Sequence, residues 1–308
     1  MSNTATPSNS VQETSQTPAG EQQPQIFDGK YKVIRRIADD DLSEYNSGIF
    51  IVEDLETHQT LICKQLKPGT GKHESEILAK VSPHPNVTQY IDSKLHPADS
   101  SSNDRIYMEY CNAGSLRDYL KEHNGEKIPE AFALSIFRDL TAAVKHLQNG
   151  PPGVKNWDSI LHRDIKPINV FLMTVGRTPE EYPRAVLGDF GCAFTHSELD
   201  EILLDYENCD DPGLPHDVVW ADPEDDMSFT HSAEVYQIAG VIKRVCGGGL
   251  FNLMTWTKSE MECSDELKEL VRRCMSEDFS ERLDVWDLEK ELRKFGAGEE
   301  KQDAGKAE

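Results

Sequence analysis

The chain has 308 residues, with 55 Asp and Glu against 32 Lys and Arg, which gives a formal charge of −23 at pH 7. That length can bury a substantial core, and the charge excludes a nucleic-acid binder, because phosphate backbones demand concentrated Lys and Arg; basic partners fit better. No run of 18 uncharged apolar residues is present and the N-terminus lacks the basic start and apolar stretch of a signal peptide, so the expectation is an intracellular protein, of cytoplasm or nucleus, acting away from membranes. The seven cysteines, at 63, 111, 192, 209, 246, 263 and 274, are odd in number and have no metal-ligand spacing. They read as free thiols rather than a disulfide framework.

In chain order, residues 1–27 are rich in Ser, Thr, Gln and Pro and contain no Lys or Arg, so a disordered tail is expected there. The end from Gly296 to residue 308 reads the same way. From Tyr31 to about Cys111 the apolar runs are short and strand-like: "YKVIRRI", "GIFIVED", "TLICKQL", "VTQYID" and "RIYMEYC", interrupted by one short helix, "KHESEILAKV". Beyond Asn112 helical periodicity takes over. Ile136, Leu140, Val144 and Leu147 share one face of a helix that Pro129 can start and Gly150-Pro151-Pro152 must end. A second helix carries Val235, Ile238, Ile242 and Val245 and stops at the glycines 247–249. The class expected is α+β: a small β-rich lobe over 28–110 and a larger, mainly helical one over 111–295.

Residues 161–172 read "LHRDIKPINVFL". Asp164, Lys166 and Asn169 fall in a short polar loop, kept from helix by Pro167, directly before the apolar run Val170-Phe171-Leu172. Twenty residues after Asn169, past a hairpin containing Gly176 and Pro183, "VLGDFGCAF" ends a second strand on Asp189. Two strand ends bring Asn169 and Asp189 together, and an amide oxygen with a carboxylate suits Mg²⁺, which takes hard oxygen ligands and shares them with substrate phosphates. Asp164 would orient or deprotonate a hydroxyl, and Lys166 would neutralise charge on a transferring phosphoryl group.

These motifs resemble the protein kinases. "HRDIKPIN" is similar to their catalytic loop and "DFG" to their metal-binding segment, and the resemblance spans roughly 28–295. It implies a bilobal kinase-like fold, ATP and Mg²⁺ as cofactors, and a protein substrate. "LICKQL" resembles the strand with the phosphate-anchoring lysine, Lys64, and Glu74 resembles that lysine's helical partner. "YMEYCNAGSL" resembles the hinge, where main-chain groups near Glu109 and Cys111 would bond adenine, and Ile37 ends the strand that enters the nucleotide-covering loop. "WADPE" resembles the end of the activation segment, with Glu224 paired to Arg282. Lys166 is what serine/threonine kinases carry in that loop.

The resemblance breaks between Ile37 and Lys64, where "IADDDLSEYNSGIFIV" replaces the glycine-rich loop and only Ser47 or Gly48 stands for its last glycine. Asp39, Asp40, Asp41 and Glu44 would repel phosphates by on the order of 1 kcal/mol per contact-range charge in water. Ile62 stands where alanine commonly covers the adenine. Glu234 replaces an aspartate that braces the catalytic loop, and Asp217 stands about where a threonine contacts the catalytic aspartate. Arg163 suits an activation-segment phosphate, for which Asp205, Glu207, Asp210 or Asp211 could substitute. The reading is an active serine/threonine kinase; the alternative is a pseudokinase, a binding or scaffold module on the same fold. From Ala185 to Ile242 there is no Lys or Arg, so substrates with basic residues flanking the target Ser or Thr are expected.

Overall fold

The structure, a computed structural model, describes residues 24–37, 46–178, 181–199, 231–247, 261–276, 278 and 281–295. Its first part is a six-stranded antiparallel sheet of β1 (Ile26–Phe27), β2 (Tyr31–Arg36), β3 (Asn46–Asp54), β4 (Thr60–Leu66), β5 (Tyr90–Lys94) and β6 (Asp104–Glu109), in the order β1-β2-β3-β4-β6-β5. The tail expected over 1–27 thus yields its last two residues to the sheet. Ile26 and Phe27 pair with Lys32 and Tyr31, and the Phe27 ring is buried edge-on against Phe50 with the Arg105 guanidinium over it at 4.3 Å.

Strand periodicity decides which face each residue serves. Leu61 and Cys63 of β4 and Tyr107 of β6 point to the outer face, where Tyr31 and Tyr107 stack at 3.7 Å. Leu66, Ile106 and Met108 point inward to the main core, and Ile62 packs against it. Lys64 has the same parity as Ile62 and Leu66, so the alternation alone delivers its ammonium to the inner side.

Helix α1 (Lys72–Val81) lies on that inner side and buries Ile77, Leu78 and Val81. The second part contains α2 (Leu116–Glu122), α3 (Glu130–Asn149), α4 (His231–Cys246), α5 (Asp265–Cys274) and α6 (Val285–Lys294). In α3, Ile136, Leu140, Val144 and Leu147 are fully buried, and Pro129 and Gly150 flank the helix as the sequence predicts. Gly150 takes φ +72°, and a Cβ there would run into the Trp157 ring. One apolar cluster runs from the inner sheet face through α1 to α3, α4, α5 and α6, so the two parts share a core. Among the described residues no helix is long and apolar enough to cross a membrane.

Two small sheets lie between these parts. β7 (Ile160–Leu161) pairs with β10 (Phe194–Thr195), and β8 (Val170–Met173) pairs with β9 (Arg184–Leu187), all antiparallel. The chain therefore runs from β7 through loop 162–169 to β8, and from β9 through 188–193 to β10. Both loops are pinned at each end by paired strands.

Candidate active site

The loop 162–169 takes its shape from buried polar contacts. His162 is fully buried; its Nε2 donates to the Gly188 carbonyl at 3.1 Å and its Nδ1 accepts the Asp164 N–H at 3.3 Å. Those two bonds need the neutral ring with the proton on Nε2, and burial lowers the His162 pKa in the same sense. Helix α4 braces the loop from below. Glu234 Oε1 accepts the His162 N–H at 2.6 Å, while Gln237 accepts from Ile165 N at 3.0 Å and donates to the Arg163 carbonyl at 3.0 Å. The longer glutamate still reaches the loop. Gln237 was not singled out in the sequence, although a glutamine one turn from Glu234 on an otherwise apolar helix face was the available signal.

On that support Asp164 meets both its neighbours. Lys166 Nζ is 2.8 Å from Asp164 Oδ1, and Asn169 Nδ2 donates to Asp164 Oδ2 and to its carbonyl, each at 2.9 Å. The Gly188 N–H donates to the Asn169 carbonyl at 2.9 Å, which ties this loop to the residue before Asp189. Arg163 and Asp189 both take left-handed backbone, at φ 68° and 63°, which costs a non-glycine residue on the order of 1 kcal/mol or more and is held by the surrounding bonds.

Across the cleft, Lys64 Nζ bonds Glu74 at 2.8 and 2.9 Å and Asp189 Oδ1 at 2.7 Å. Burial opposes the ammonium, but the Asp189 and Glu74 carboxylates outweigh it and hold the Lys64 pKa above its ordinary value. The Lys64 charge holds Asp189 down to about 2, so it is ionised at any physiological pH. Burial pushes Glu74 up, against the pull of Lys64, and the neighbouring Asp189 carboxylate adds to the rise.

The residues expected around a nucleotide base stand apart from this cluster. In the β4–β6 register Lys64 faces Ile106 and Leu61 faces Glu109, so Glu109 lies three residues, roughly 10 Å, further along the edge of the cleft. Its N–H is taken by the Gln89 carbonyl at 3.0 Å. The Cys111 side chain is buried with Met173 and Val186, and burial pushes its thiol up to about 12. Ile37 is half-buried just past β2, its N–H on the Ile49 carbonyl at 2.8 Å. Gly48 rather than Ser47 takes the glycine conformation, at φ +150°, where a Cβ would lie 2.9 Å from the Phe50 ring.

Arg163 lies over the Phe194 ring at 5.0 Å and reaches the Cys192 carbonyl at 3.4 Å. Arg282 is buried, bonds the Ser276 carbonyl at 3.0 and 2.7 Å, and lies over Tyr236 at 5.0 Å. Asp39, Asp40, Asp41 and Glu44, the activation-segment acids at 205–211, Asp217 and Glu224 lie outside the described residues.

Comparison with known proteins places these motifs in a wider set. The sequence profile of the protein kinase domain matches residues 47–206. Mouse serine/threonine-protein kinase Nek3 is 25% identical over 224 residues, covering 70% of this chain and 37% of that protein. The G2-specific protein kinase fin1 of Schizosaccharomyces pombe is 28% identical over 239 residues, covering 70% and 30%. The interferon-induced, double-stranded RNA-activated protein kinase of Rattus norvegicus is 26% identical over 191 residues, covering 54% and 34%. The chain spans less than half the length of each of these relatives.

Proposed function

Because the chain belongs to the protein kinase family, we propose that it is a serine/threonine kinase that transfers the γ-phosphoryl group of ATP to a protein hydroxyl. One observation carries the reading: Lys64 bridges Glu74 and Asp189 at 2.7–2.9 Å while Asp164 is engaged by Lys166 and Asn169 at 2.8–2.9 Å. Two clusters of charge, Lys64 with Glu74 and Asp189, and Asp164 with Lys166, support this reading. In this reading Asp164 orients the incoming hydroxyl and accepts its proton, and Lys166, at 2.8 Å, neutralises charge on the phosphoryl oxygens. Lys64, kept charged by its two carboxylates, anchors the phosphates, and Glu74 fixes Lys64. Ile37 and the main chain near Glu109 and Cys111 contact the nucleotide base.

The donor set also fits a hard cation. Asp189 is held ionised, and Asn169 spends its amide nitrogen on Asp164, which leaves an amide oxygen for a metal. Mg²⁺ held there would neutralise the β- and γ-phosphate charge during transfer. The kinase domain is proposed to span 28–295, with flanking tails over 1–27 and 296–308; the two residues of β1 extend its sheet into the first of these.

The test is a thermal-shift titration with Mg·ATP followed by a transfer assay. Wild type should be stabilised and should phosphorylate a protein substrate. Asp189→Asn should lose transfer by at least about a hundredfold while keeping its fold, because Lys64 retains Glu74 as its buried partner. Full activity in that variant would remove the metal role. The sequence of the acidic stretch after Ile37 favours a second reading, a binding module without transfer. Absence of both stabilisation and transfer at millimolar ATP would decide for it.

A further inference from the structure

The Lys64–Glu74 pair is only as fixed as the first turn of α1, and that turn has no side-chain N-cap; Gly71 precedes it. Its ties to the rest of the molecule therefore matter. Gly71 N–H donates to Asp104 at 2.9 Å and Ser75 Oγ bonds Ser93 Oγ at 3.0 Å, both on the sheet side. His73 ties the other side. Its Nε2 lies 2.7 Å from the Ala193 carbonyl, its ring centroid 5.0 Å from Phe194, and its Nδ1 3.6 Å from Glu198 Oε1. We propose that His73 is a positioning residue: with Glu198 as its charged partner, it locks Glu74, and through it Lys64, to the segment that follows Asp189.

The geometry explains how one ring can do this. A carbonyl only accepts, so Nε2 carries a proton and the neutral ring presents a bare Nδ1 to the Glu198 carboxylate. That contact, at 3.6 Å, is longer than the 2.7 Å bond to Ala193, which is the main tie. Glu198 is held in place independently, its Oε2 accepting the Thr195 N–H at 2.8 Å and its own N–H donating to Thr195 Oγ1 at 3.3 Å. Thr195 is buried and belongs to β10, paired to β7 directly before the catalytic loop. Phe194, the ring beside His73, is also the ring beneath Arg163. His73 thereby joins α1 to both loops of the site. Among the described residues, Arg163 lies over the same Phe194 ring, and on the helix itself Glu74 is committed to Lys64 and Lys72 is paired with Glu76 at 3.8 Å.

This inference rests on the kinase reading for its catalytic consequence but not for the coupling, and the experiment separates the two. Hydrogen exchange is measured across 72–81 and 193–199 in the full chain, and kcat and KM are measured alongside, for wild type, His73→Ala, His73→Gln, Glu198→Gln and the control Lys72→Ala. His73→Ala should raise exchange in both segments about five- to tenfold and lower kcat by a similar factor with little change in peptide KM. His73→Gln, which can still donate to Ala193, should recover most of the loss. Glu198→Gln, which keeps the Ala193 bond, should have a smaller effect than His73→Ala on both exchange and kcat. Lys72→Ala should match wild type throughout. Unchanged exchange in His73→Ala, or loosening confined to α1, would overturn the coupling. Absent transfer in wild type with coupled exchange intact would instead reject the kinase reading alone.

Discussion

Glu234 lies on the buried face of α4, 1% exposed, with Oε1 on the His162 N–H at 2.6 Å. Burial pushes its carboxyl up to about 8 from an ordinary 4.5. Between those values the folded protein holds a proton that the unfolded chain has released. Stability contributed by this group is therefore complete below about 4.5 and is lost as pH rises through 8, at up to roughly 1.4 kcal/mol per pH unit. Glu234→Gln keeps an acceptor for His162 and never ionises. Its Tm should match wild type near pH 4, rise above it by pH 6 and exceed it most near pH 9; parallel pH profiles for the two proteins would mean that Glu234 ionises freely in the fold. A glutamate where an aspartate is expected reads from sequence only as extra reach, whereas its raised pKa comes from the depth at which α4 meets the loop.

At the scale of elements, Gly188 shows how β9 aims Asp189. A Cβ at 188 would lie 2.5 Å from Thr88 Oγ1 and 2.8 Å from the Phe171 ring, because the Thr88 N–H bonds the Leu187 carbonyl at 2.8 Å and β8 lies alongside. Gly188→Ala should therefore destabilise the protein by about 1–3 kcal/mol and shift Asp189 off Lys64. A Tm within one degree of wild type, with activity retained, would show that the packing yields. Elements with strong periodicity were legible in the sequence: β4 covers "TLICKQL", α1 covers "KHESEILAKV", and the four apolar residues named in α3 are all buried. The two-residue strands β1, β7 and β10 were not, since two residues carry no alternation. Helix α2, seven residues behind its Ser115 cap, is likewise too short for a 3.6-residue period to show. The candidate site residues could be named from their motifs, but Gln237 shows only as a polar residue on an apolar helix face, and the tie of His73 to Ala193, distant in the chain, leaves no local signal.

At the scale of the whole molecule, charge is distributed unevenly. The net charge is −23, and the stretch from Ala185 to Ile242, which begins beside Asp189, has no Lys or Arg. The described part already carries Glu198 beside β10 and Asp189 in the cleft, the latter with its side chain 40% exposed. A region of one sign concentrates ligands of the other and penalises like charges, so a basic peptide should be favoured chiefly through KM. Screening sets the range: exposed charges more than about 8–10 Å apart are largely screened at physiological salt. Peptides with Lys or Arg flanking the target Ser or Thr should thus outcompete acidic-flanked ones several-fold at about 50 mM salt, and the preference should shrink by roughly half or more at about 300 mM. A positional peptide array read at both salt concentrations checks this. A preference for acidic flanks would reverse the sign of the argument, and a basic preference that ignores salt would place its origin in short, desolvated contacts rather than in the field of the acidic segment.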